Sequence, residues 1–85
     1  MLTSGWMNKQ REVQIQEKFG LHLRDLRKVK GLSQESLALA CGLDRSYIGG
    51  VERGERNISL INIYKIAEAL SLPASELLNE GDTPA

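Results

Sequence analysis

The chain has 85 residues, 41% of them apolar and 26% charged, which is enough for one small domain with a modest core and too little for two. No apolar run approaches the length of a membrane span, and the first residues lack the basic-then-apolar order of a secretion signal, so a cytoplasmic protein is expected. Acids and bases number 11 each, but residues 18–58 hold eight Lys or Arg against five acids and residues 59–85 hold one against four, an asymmetry that suits a central surface facing phosphate and an acidic end turned elsewhere. Residues 1–11, MLTSGWMNKQR, mix Gly, Ser, Asn and charge around isolated Trp6 and Met7 and read as a mobile leader. From Glu12 to Lys30 the apolar residues Ile15, Phe19, Leu23, Leu26 and Val29 recur every three or four positions, which predicts a first helix ended by Gly31. Gly20 within it costs about 1 kcal/mol against alanine and permits close contact with another helix.

The stretch SQESLALACGLDRSYIGGVER, Ser33 to Arg53, spells two short helices joined by a tight turn. Ser33 is placed to cap the first of them, Glu35 suits its positive end, and Leu37, Ala38 and Cys41 form its inward face. Gly42 ends it, Leu43 plugs the gap, Asp44 is placed to cap the next helix, and Ile48 and Val51 face inward from there. Arg45, Ser46, Tyr47 and the pair Gly49 and Gly50 are left outward. That is a helix-turn-helix whose second helix starts with side chains able to enter a DNA major groove.

After the polar loop GERNI, Ser59 is placed to cap a fourth helix with Leu60, Ile63, Ile66, Ala67 and Leu70 inward. Pro73 fits the first position of a short fifth helix, PASELL. The expected architecture is an all-α, five-helix domain over residues 12–79 with a tail at 80–85 and no strand. Apolar Ile61, Tyr64, Leu72, Leu77 and Leu78 exceed what one core needs, and an isologous contact between two copies would cover them. Two recognition helices related by a twofold axis would then meet a palindromic operator with half-sites about 34 Å apart.

No enzyme is expected, and no cofactor. His22 is the sole histidine, lies on the polar side of the first helix and has no second ligand at metal spacing, so a solvated surface role and no metal site are expected. Cys41 has no disulfide partner and reads as a small core residue. No glycine loop precedes a Lys-Ser or Lys-Thr pair, and no small-molecule site is evident.

The strings LRDLRKVKGLSQESLA, GLDRSYI, VERGERNISL and IAEALSLPASELL, between Phe19 and Leu78, resemble the Xre-like, phage-repressor type of helix-turn-helix domain. FGLHLRDLR, GLDRSYIGGVERGERNIS and the short acidic tail are similar to the controller proteins of restriction-modification systems. The resemblance implies a homodimeric, sequence-specific DNA-binding transcriptional regulator, acting on its own gene and the endonuclease gene, with RNA polymerase as a further partner where it activates. It also implies that Arg45 and Ser46 read base edges, and arginine suits the O6 and N7 of guanine. Gln34, Tyr47, Arg56 and Asn57 are implied as phosphate or backbone contacts, and Arg27 with Glu52 as a structural ion pair. Gly50 departs from the wider family, in which a long polar side chain often reads a base there, so specificity is expected to draw on DNA shape or on the following loop. The alternatives are a prophage repressor or antitoxin of the same fold, or a protein-interaction adaptor without DNA binding.

Overall fold

Asn8 accepts a hydrogen bond from the Arg11 N–H at 2.9 Å and so opens the first helix, α1 (Lys9–Val29), three residues earlier than its apolar spacing suggests. Residues 9–11 are therefore helix and not leader. The computed structural model describes residues 7–79, so Trp6, the rest of the expected leader and the tail from 80 lie outside the described residues. The remaining elements are α2 (Gln34–Cys41), α3 (Arg45–Glu52), α4 (Leu60–Ala69) and α5 (Ala74–Leu78), with no strand among the described residues. Ser33 and Ser59 cap α2 and α4 as expected, accepting from the N–H groups of Ser36 and Asn62. Asp44 stands at the N-cap of α3, but its carboxylate makes no cap hydrogen bond. Pro73 is the N-cap of α5 and not its first residue.

Gly42 makes the turn between α2 and α3. It adopts φ 74°, a left-handed conformation that side chains with a Cβ avoid, and its N–H reaches the Ala38 carbonyl at 2.9 Å. The core beneath is built from Leu23 of α1, Leu37, Ala38 and Cys41 of α2, Ile48 and Val51 of α3, Ile63, Ile66, Ala67 and Leu70 of the α4 region, and Leu77 of α5. Phe19, Leu26 and Leu43 pack against its rim. Burial pushes the Cys41 thiol above its ordinary pKa, in keeping with a core residue.

Four expectations fail here. Val29 is 81% and Ile15 38% exposed, because the buried line of α1 runs through Gly20, Leu23 and Arg27, at i, i+3 and i+7, with half-buried Gln16 one turn before it, and leaves both residues at its flank. Gly20 belongs to that line because α1 crosses the C-terminal end of α3 there: a Cβ would fall on the carbonyl oxygens of Val51 and Glu52. Leu60, expected in the core, is 64% exposed as the first residue of α4, outside the inward row of Ile63, Ile66, Ala67 and Leu70. His22 is not a solvated surface group; it is half-buried, and its Nε2–H donates to the Glu76 carbonyl at 2.7 Å, tying α5 to α1.

Candidate nucleic-acid interface

Eight residues make α3 only about two turns long, so its direction is set by what grips its ends. At the C-terminal end, Arg27 of α1 makes a two-pronged contact with Glu52, Nε to Oε2 at 2.6 Å and Nη2 to Oε1 at 2.9 Å. The third prong, Nη1, donates to the Leu32 carbonyl at 2.8 Å. Both partners are buried, 7% and 6% exposed, and no buried side-chain polar atom among the described residues lacks a partner. Gln34, the first residue of α2, adds its Nε2–H to Glu52 Oε1 at 3.0 Å. One carboxylate thus fixes α1, α2 and α3 together.

For the Glu52 carboxyl, burial acts to raise the pKa, but the hydrogen bonds from Arg27 and Gln34 and the Arg27 charge jointly outweigh it and hold the group below its ordinary value. A depressed folded-state pKa stabilises the fold above the unfolded value of 4.5, and the contribution is lost as pH falls through the folded value. Urea unfolding of wild type and Glu52→Gln should therefore show a stability gap that is constant near neutrality and narrows below about pH 4.5. A gap independent of pH down to 3 would contradict this account.

At the other end of α3, Arg45 and Ser46 are exposed, as expected for side chains that enter a groove. Tyr47 is half-buried, its hydroxyl receives the Asn62 Nδ2–H at 3.1 Å, and the Arg56 guanidinium lies 5.9 Å from its ring centroid. The structure therefore brings Gln34 and Arg56 against the flanks of α3, Arg56 beside Tyr47 of that helix. Asn57 stands apart, beside Glu12, Ile15 and Gln16 of α1. Gly49 and Gly50 are not outward as expected but buried. Gly49 lies under the Gln34 amide and the Arg53 guanidinium, and Gly50 under the Arg56 stem. Arg53 is held in turn by an exposed two-pronged pair with Glu55.

Asn62, which orients Tyr47, and Gln16, whose Nε2–H donates to the Gly54 carbonyl at 3.1 Å and so ties α1 to the loop after α3, carry no sequence signal, because each acts through a single long-range hydrogen bond. Of the residues expected between two copies, Ile61 and Tyr64 are 64% and 52% exposed and Leu78 is exposed, whereas Leu72 packs half-buried against the core. Leu77 is 1% exposed and belongs to the monomer core, where α5 closes on α1 and α4, so it is withdrawn from that surface.

The helix-turn-helix family model HTH_3 matches residues 23–77. The chain is 46% identical over 67 residues to control protein C.MunI of Mycoplasma sp, an overlap of 78% of this chain and 90% of that one. It is 48% identical over 62 residues to control protein C.BamHI of Bacillus amyloliquefaciens, covering 72% and 76% of the two chains. The restriction-modification controller protein C.AhdI from Aeromonas hydrophila superposes with a TM-score of 0.71 at 64% identity, covering 72% of this chain and 92% of that structure.

Proposed function

From a chain that belongs to the HTH_3, Xre-like family of DNA-binding helix-turn-helix transcription regulators, we propose a homodimeric controller of a restriction-modification system. It occupies a palindromic operator and regulates its own gene and that of the endonuclease. The observation that carries this reading is α3 itself: a short helix locked at its C-terminal end by Arg27, Glu52 and Gln34, with Arg45 and Ser46 exposed at its free end. The likeness to control proteins supports the finer assignment. Arg45 and Ser46 read base edges, while Gln34, Tyr47 and Arg56, with Asn57 on the α1 side of the loop, hold sugar-phosphate, and RNA polymerase is a further partner where the protein activates. Exposed Ile61, Tyr64 and Leu78, with Leu72 at the rim, join the two copies. No helix among the described residues is long and apolar enough to cross a membrane, and the proposed role needs no catalysis.

Arg45→Ala should lose about 1–3 kcal/mol of discrimination at one base pair per half-site and keep most of its binding to random duplex. Competition between duplexes that differ at single positions measures it. Equal weakening on every sequence, with a shallower dependence on salt, would make Arg45 a phosphate contact and sink its assignment as reader.

A further inference from the structure

Position 50 lies one turn beyond Ser46 and three residues beyond Tyr47, on the stripe of α3 that continues from the proposed DNA-reading turn. Gly50 brings no side chain of its own to that stripe. The space is nevertheless filled. A Cβ built on Gly50 would stand 3.0 Å from Cγ, 3.3 Å from Nε and 3.7 Å from Cδ of Arg56, and all three nearest neighbours belong to that one side chain. The Arg56 guanidinium meanwhile lies over the Tyr47 ring, within the range in which a cation is attracted to an aromatic face. The Asn62 amide fixes that ring by its hydroxyl.

We infer that Gly50 and Tyr47 form a seat that delivers Arg56 from the loop between α3 and α4 to the base-facing stripe of α3, where it reads a guanine in place of the side chain that position 50 lacks. The inference rests on α3 entering the major groove, and it takes Arg56 from the phosphate contacts to the base readers. A Cβ at position 50 would crowd the stem of Arg56, which would have to give way, whereas the backbone makes no demand for glycine, since Gly50 is helical and has no positive φ. Arg53 does not share this role, because its guanidinium is engaged by Glu55. Arg56 is exposed and presents the fork of donors that matches guanine O6 and N7.

The test uses the full chain, the consensus duplex that wild type retains from a randomised pool, and the set of single-base-pair variants of that duplex. Arg56→Ala should relax discrimination about 10- to 100-fold at one G·C pair per half-site, a different pair from the one relaxed by Arg45→Ala. Gly50→Leu should relax the same pair, since its side chain occupies the seat, and Gly50→Leu in the Arg56→Ala background should relax nothing further there. Arg56→Ala alone decides the matter if Gly50→Leu does not fold, because an exposed loop arginine can be truncated without touching the core. Uniform weakening of all duplexes by Arg56→Ala, or an unchanged preference in either single variant, would overturn the inference while Arg45→Ala still upheld the reading of α3. Failure of wild type to retain any consensus would overturn both at once.

Discussion

Arg27→Ala is expected to lower folding stability by about 3–5 kcal/mol, because it strands the buried Glu52 carboxylate with only the Gln34 amide for a partner. Solvent screens an exposed pair such as Arg53 with Glu55, so truncating Arg53 should change stability far less, and the contrast between the two truncations is itself informative. In a domain this small, each kcal/mol moves the melting temperature by about 4–8 °C, so a fall of about 12 °C or more is expected. DNA affinity measured well below that temperature should change far less. Replacing both partners together, Arg27→Met with Glu52→Leu, should recover much of the stability, because the cost lies in the unpaired charge and not in the loss of the pair. Calorimetry or thermal circular dichroism decides this. An Arg27→Ala protein with normal melting and lost duplex binding would move Arg27 from the scaffold to the DNA face.

Ile61→Glu combined with Tyr64→Glu should yield a folded monomer whose operator affinity is at least about 100-fold weaker. Both side chains are more than half exposed on α4, so two charges placed there leave the core intact. In a twofold assembly the same two residues meet their counterparts, and four like charges then crowd one contact. A single α3 has one strong base reader at its tip and must find its site without the second half-site, whose binding within a dimer is intramolecular and multiplies affinity about 10²- to 10⁴-fold. Sedimentation of wild type and variant at micromolar concentration, followed by titration of the same duplex, measures both parts. A variant that remains dimeric would remove α4 from the proposed interface, and a monomeric variant with undiminished affinity would remove the need for a dimer.

The sequence made the helix-turn-helix legible because its signals are local. Ser33 and Ser59 as caps, Gly42 as the left-handed turn residue, and the inward spacing of Leu37, Ala38, Cys41, Ile48 and Val51 each depend on a few neighbouring residues, and the structure has them all in place. The buried line of α1 was not legible, since apolar spacing cannot mark a row that includes Gln16, Gly20 and Arg27. Gly20 and Arg27 are buried and Gln16 half-buried because backbone carbonyls and a carboxylate from distant segments meet them. His22 looked solvated for the same reason: its partner is a backbone carbonyl 54 residues away. Leu77 and Leu78 were indistinguishable in sequence, and only the docking of α5 against α1 and α4 turns one into the core and the other outward. At the candidate site, the outward Arg45 and Ser46 follow from helix periodicity, whereas the burial of Gly49 and Gly50 under Gln34, Arg53 and Arg56 follows from side chains folding back over the helix, which spacing alone does not encode.

The most direct test of the central claim, that two copies of α3 read a symmetric duplex, is the base sequence of the duplexes that wild type retains from a randomised pool at physiological salt. The account predicts a twofold-symmetric consensus with half-site centres one helical turn, about 34 Å, or a multiple of it apart, each half-site containing a guanine whose preference is lost in Arg45→Ala. Retention of duplex without any consensus, or an asymmetric single half-site bound by a monomer, would contradict it.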